Sequence, residues 1–309
     1  MAIVTNGRLE YEMSEIDVTY PDVGKVTYRG SYPLIVPNTW TPPVKEYTDC
    51  LTFVGKDGQD FTLNLSNKTW DGTLEYSTDH ENWNKITSYG DSIQSIDGKI
   101  YLRGSGNTAF YNGRYNTQIR LSAKAACYGN IQTLLQYDNP DVKLGWYCFY
   151  GLFNGCENLT RSPELPAIEL TEYCYSDMFR NCTNLTTPPE LPATTLSDGC
   201  YSYMFYGCTN LTIAPELPAT TLAANCYSQM FMLCTNLIST FELPATTLPT
   251  SCYASMFQMC NKLKVGTTGV TKIFTCPIGT SSYSIQYMFQ GTGGSFSGTP
   301  TPGTTYYLE

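Results

Sequence analysis

Ten cysteines fall into two columns with a step of 26 residues. Cys148, Cys174, Cys200, Cys226 and Cys252 form one column, and Cys156, Cys182, Cys208, Cys234 and Cys260 form the other. They bracket the nonapeptides CFYGLFNGC, CYSDMFRNC, CYSYMFYGC, CYSQMFMLC and CYASMFQMC. A second recurring stretch lies between them: NLTRSPELPAIEL, NLTTPPELPATTL, NLTIAPELPATTL and NLISTFELPATTL. Such a repeat restricts the fold more than any local motif, because each unit carries side chains that it cannot bury alone. Leu159, Leu185, Leu211, Leu237 and Leu263 follow the nonapeptides, Leu165, Leu191, Leu217 and Leu243 sit in the Glu-Leu-Pro triplets, and Leu170, Leu196, Leu222 and Leu248 close the units. Stacked on identical neighbours, these leucines make one continuous core.

The Cys-to-Cys piece suits a short helix or helical turn, on which Cys174, Met178 and Cys182 share roughly one face. The NLTT and TTL pieces suit short strands, with prolines forcing turns between them. Helical turns are about 10 Å wide and strands stack about 4.8 Å apart, so the array is expected to curve with its strands on the concave side. Residues 127–147 read as an incomplete first coil that caps one end, with Ile131, Leu134 and Leu135 on one helical face. At the other end SIQYMFQGT keeps Met288 and Phe289, but Ser284 and Thr292 replace the cysteines six residues late. This degraded unit and the tail GTPTPGTTYYLE are expected to cover the last coil or pair at an edge.

The MFxxCxNL core, as in Met204-Phe205-Tyr206-Gly207-Cys208-Thr209-Asn210-Leu211, and the LPATTL segment resemble the BspA-like leucine-rich repeats over about residues 144–265. That resemblance implies an irregular solenoid and a role in adhesion. Such repeats occur in surface proteins of gut bacteria, in mucosal parasites and in phages.

Upstream of the repeats, CLTFVG, FTLNL, LEYST, KIYLRG and TQIRLSA alternate apolar and polar residues between turn signals. Strands so spaced suggest a β-sandwich-like domain over 46–126. The string LEYSTDHENWNKI with IYLRG resembles the β-domain that precedes these repeats in gut-bacterial and phage proteins. Residues 1–45 are rich in Pro and Tyr with little periodicity and read as an extended N-terminal arm for docking or assembly. The fold class expected is mainly β with short helical turns. The β-sandwich-like domain comes first, then a curved leucine-rich-repeat solenoid over 127–265, then a degenerate last repeat and cap over 266–309.

Net charge is −9. Nucleic-acid recognition draws on clustered Lys and Arg, so no such partner is expected. No stretch approaches the roughly 18 apolar residues of a membrane span, and the first twenty residues show no secretory signal. The cysteines contain no CxxC pair and the single His80 lies far from the repeats, so no metal site and no cofactor are expected. The cysteine columns read as buried small apolar residues with reduced thiols, although equivalent cysteines on neighbouring coils can come within bridging reach. Asn158, Asn184, Asn210 and Asn236 form a column, three of them in nominal glycosylation sequons; an inward column bonding the adjacent coil explains them better. Glu164, Glu190, Glu216 and Glu242 read as solvated corners, with Ca²⁺ as the alternative. His80 has no evident nucleophile or orienting acid, so no catalytic residue is assigned.

What fails to repeat is expected at the surface. Asp177, Arg180, Tyr203, Tyr206, Gln229, Met232, Gln258 and Met259 are the candidate binding residues, since aromatic groups there can stack on sugars or bury area against a protein. The absence of a visible secretory signal, the N-terminal arm and the phage-like pairing of β-domain and repeats that the resemblance implies lead to the expectation of a non-enzymatic phage fibre or decoration protein. It would assemble in the host cytoplasm, where free thiols persist, dock to virion proteins through its arm, form a homo-oligomer and bind a host-surface glycan or protein. The alternative is a bacterial cell-surface adhesin with the same domains.

Overall fold

The computed structural model describes residues 49–309 except 89 and 91, together with the backbone of five strands within 1–35. Residues Met1–Glu46 and Tyr47–Glu309 are separate compact units. In the first unit, β1 (Ile3–Thr5), β2 (Arg8–Glu10) and β5 (Leu34–Ile35) form one antiparallel sheet, and β3 (Ile16–Tyr20) pairs with β4 (Gly24–Tyr28) in another. The segment read from sequence as an extended arm therefore carries paired strands. Its side chains and its docking role lie outside the described residues.

The second unit opens with β6 (Leu51–Gly55), β7 (Thr62–Leu65), β8 (Thr73–Ser77), β9 (Asn84–Lys85), β10 (Ser92–Gln94), β11 (Lys99–Ser105), β12 (Ile119–Leu121) and β13 (Ala125–Tyr128). The five strands expected from alternation are all present. In β7, Leu63 and Leu65 point inward while Thr62 and Asn64 are less buried, the period of two that a half-buried strand imposes. β10, β7 and β12 make one antiparallel sheet. The other runs β13-β6-β11-β8-β9 and takes in β14 (Leu159–Arg161) from the first repeat, parallel to β13. Phe53, Leu63, Leu102 and Ile119 of the two sheets belong to the same core as the repeat leucines.

No gap therefore separates residues 49–126 from the repeats. Asn158 Nδ2 donates to the Leu121 carbonyl at 2.9 Å, and the 3-10 turn Ile131–Leu134 is buried beside β11. Gly104 of β11 lies against the Leu134 carbonyl, where a methyl group would run into backbone.

In the repeats the nonapeptides are not helices. Even-numbered residues of the second unit (Cys174, Ser176, Met178, Arg180 and Cys182) donate to carbonyls three residues back at 3.1–3.4 Å. Odd-numbered ones (Tyr173, Tyr175, Asp177, Phe179 and Asn181) donate to carbonyls 25 residues ahead, at 2.7–3.0 Å. Half of the N–H groups thus close tight turns and half bind the next unit. An α-helix spends its interior N–H groups internally and leaves none for that ladder. Each turn needs a left-handed residue, and Tyr173, Asp177 and Asn181 have φ of 53°, 55° and 57°. Gly151, Gly155, Gly199 and Gly207 take equivalent places, where glycine avoids the Cβ penalty. The expected shared face survives, since Cys174, Met178 and Cys182 are all fully buried.

Stacking aligns identical side chains into ladders. Phe153, Phe179, Phe205, Phe231, Phe257 and Phe289 follow one another with ring centroids 5.5–5.8 Å apart. Tyr175, Tyr201, Tyr227 and Tyr253 do the same at 5.8–6.0 Å. Asn184 and Asn236 donate to the Glu157 and Thr209 carbonyls of the preceding unit at 2.9 and 2.7 Å, but the column is not inward, since Asn158, Asn184 and Asn236 are half-buried and Asn210 is exposed. The strands expected from NLTT and TTL shrink, beyond β14, to isolated parallel bridges such as Arg161↔Thr187 and Glu169↔Thr195. Prolines 163, 166, 188, 189 and 192 supply no N–H to extend them.

The chain ends with β15 (Val265–Gly266), β16 (Thr271–Thr275), the four-residue helix α1 (Ser282–Ile285) and β17 (Thr305–Leu308). β17 pairs with both β15 and β16, so the tail closes an edge. The degraded unit stays in the ladder: Tyr253, Phe257 and Met259 donate to Ser284, Met288 and Gln290. Its six extra residues are absorbed before α1. The architecture is mainly β, with very little helix.

Candidate binding surface

The candidate residues occupy two kinds of place in the turn series. Asp177, Tyr203, Gln229 and Met259 are left-handed corners. Arg180, Tyr206, Met232 and Gln258 follow Met-Phe in successive units. A corner with positive φ carries no buried Met, Phe or Cys, which is why its identity varies while theirs does not.

Asp177 corrects the surface expectation. It is 6% exposed, because its carboxylate turns back along the stack. It accepts from Ser176 Oγ at 3.2 Å and pairs with Arg180 Nη1 at 2.9 Å. Burial, followed by the charge of Asp177 and a hydrogen bond to it, pushes the Tyr150 phenol up to about 12. Arg180 lies 5.2 Å from the Tyr203 ring and 4.4 Å from that of Tyr206, within cation–π range. Gln229 Nε2 donates to the Tyr203 hydroxyl at 2.5 Å, and Gln258 Nε2 to Gln290 Oε1 at 2.6 Å. Arg180, Tyr203, Tyr206, Gln229, Met232 and Gln258 are half-buried, and Met259 is exposed. Asp177 to Gln229 thus forms one contact chain crossing three units. Met232 and Met259 extend the same columns, and their side chains make no hydrogen bond among the described residues.

The sequence reading missed the aromatic cluster that continues this strip. Tyr147 stacks on Tyr173 with centroids 4.9 Å apart and 10° between planes. Tyr111 lies 5.1 Å from Tyr147 and 5.2 Å from Tyr150. Trp146 is 69% exposed beside them. Tyr147 and Tyr173 are 26 apart, so their alignment was available in the repeat. Tyr111 comes from the β-domain and joins only through tertiary contact.

Other expected features also have a place. The thirteen cysteines are all free and buried. The second column is more than apolar filler: Cys182, Cys208, Cys234 and Cys260 donate to Phe carbonyls of the preceding unit at 3.0–3.1 Å. Glu164, Glu190, Glu216 and Glu242 stand exposed, Glu242 pairing with Lys272 at 2.6 Å. Arg161, Pro163, Glu164, Pro166, Pro189 and Glu190 line a groove of about 530 Å³ at the first two Glu-Leu-Pro corners. His80 has an acid beside it after all, with Asp49 Oδ1 3.2 Å from its Nε2. No helix among the described residues is long and apolar enough to cross a membrane. No protein family, curated protein or solved structure matches this chain.

Proposed function

We propose that the repeat region is a leucine-rich-repeat solenoid of the BspA-like type, and that the protein is a non-enzymatic structural and binding component of a phage virion, a fibre or decoration. In this reading residues 1–45 dock to the particle, copies of the chain associate, and the solenoid engages a glycan or protein on the host or mucosal surface. The observation that carries the reading is the strip. Its residues change from unit to unit while the buried Cys, Met and Phe beneath them stay the same. It presents tyrosine, arginine and amide groups, the chemistry enriched at recognition surfaces.

Two measurements test this. Mass spectrometry of purified virions is expected to detect the chain, and its absence from all of them sinks the virion reading; detection on bacterial cells instead moves it to a surface adhesin. The double substitution Arg180→Ala with Tyr206→Ala is expected to weaken binding to host cells or mucin at least ~10-fold, the loss of one hot-spot cluster. Unchanged binding by that folded variant removes the strip from the function.

A further inference from the structure

Away from the repeats, three side chains of different ligand type converge where the chain enters β6. Ligand atoms of Asp49, Cys50 and His80 lie within 4.8 Å of one another. Separate constraints bring them there. Cys50 is fully buried immediately before β6, a strand held between β11 and β13. His80 belongs to the turn that follows β8, and its φ of 63° is left-handed. That conformation is disfavoured for a non-glycine residue.

A built hydrogen-bond set maintains the turn. Asp79 Oδ1 accepts from Ser77 Oγ and from the Glu81 and Asn82 N–H groups at 2.8–2.9 Å. Ser77 Oγ accepts from the His80 N–H at 2.9 Å. Tyr101 and Trp83 meet the imidazole edge-on, with centroids 5.1 and 5.7 Å away, and restrict its rotation. The neighbouring cation Arg103 is engaged elsewhere, paired with Glu75 at 3.0 Å and held between Trp83 and Tyr137 at 3.8 and 4.1 Å.

We infer that Asp49, Cys50 and His80 form a zinc site that clips the start of β6 to the turn after β8. One sulfur, one imidazole nitrogen and one carboxylate oxygen make a donor set suited to Zn²⁺, and three protein ligands leave a fourth tetrahedral position for solvent. Ca²⁺ and Mg²⁺ are disfavoured, since they take oxygen ligands. On binding, the sulfur coordinates as thiolate and its proton goes to solvent. The His80 and Asp49 side chains are 24% and 39% exposed, which gives the ion an entry path. The sequence reading expected no metal site, because no cysteines form a CxxC pair and His80 lies far from the repeat cysteines. This cluster joins residues 31 apart and uses none of them.

The test is a Co²⁺ titration of the full chain after dialysis against a chelator. One equivalent is expected to produce a thiolate-to-cobalt charge-transfer band that Zn²⁺ abolishes. Cys50→Ser should remove the band. Should that buried substitution fail to fold, His80→Gln, at a partly exposed position, decides: it should weaken binding at least ~10-fold with an unchanged circular-dichroism spectrum. No charge-transfer band, or wild-type Co²⁺ affinity in folded His80→Gln, overturns the site and leaves a plain His80–Asp49 hydrogen bond.

Discussion

At the residue scale the core is repetitive, and its weak point repeats too. The Tyr175, Tyr201 and Tyr227 hydroxyls are buried and meet no hydrogen-bond partner among the described residues. A buried hydroxyl without a partner costs about 1–3 kcal/mol, so the rings contribute through stacking and area while the oxygens work against the fold. Tyr201→Phe should therefore keep the ladder and raise stability by about 1 kcal/mol, seen as a later guanidinium midpoint at unchanged slope. A loss of 1 kcal/mol or more would show that the hydroxyl is satisfied. The 26-residue step aligns these tyrosines in the sequence, but nothing in their spacing marks them as core or their oxygens as orphaned.

At the element scale the unit is a train of turns that depends on its neighbours. In the second unit the odd-numbered N–H groups from Tyr173 to Asn181 reach carbonyls of the following unit, so stability is close to a sum of unit and interface contributions. Deleting residues 200–225 removes one whole period and joins Gly199 to Cys226, restoring every column. That protein should fold, with a denaturant slope smaller by roughly a tenth, the share of surface removed. Deleting residues 200–212 puts the columns out of register and should leave no cooperative transition. Equal behaviour of the two deletions in denaturant titrations would contradict the column account. The nonapeptide looked helical because Cys, Met and Cys four apart suit a helix face. A train of four-residue turns places them on the same side, so spacing alone does not separate the two.

At the scale of the whole molecule, the β-domain and the repeats share one core, and the thiols buried in that core set its response to base. Burial pushes Cys156 and Cys174 up to about 12 and raises Cys148, Cys182, Cys200, Cys208 and Cys260 as well. Unfolded thiols titrate near ~8.5. Between about 8.5 and 12 the unfolded chain therefore holds fewer protons than the folded one, and stability falls as pH rises. Cys156 and Cys174 each lower stability steadily as pH rises through that window, and the other raised thiols act in the same direction. Equilibrium denaturation should show a steep loss of midpoint from pH 9 upward, with thiol-reactive dye silent until unfolding. A flat midpoint from pH 8 to 11 would mean the columns are accessible or already oxidised.

The 26-residue period by itself determined which side chains share the core, which columns form and which positions are free to vary. An identical unit must place identical side chains in equivalent environments, whatever its local backbone. The tertiary structure decided the rest. It chose turns over helix, because stacking claims half of the N–H groups. It carried the β13 sheet edge into the first repeat, brought Tyr111 to Tyr147 and Tyr150, drew Asp177 inward, and set Asp49 and Cys50 beside His80. Each of these contacts depends on hydrogen bonding between units or on packing across long chain separations, and neither leaves a mark in local spacing.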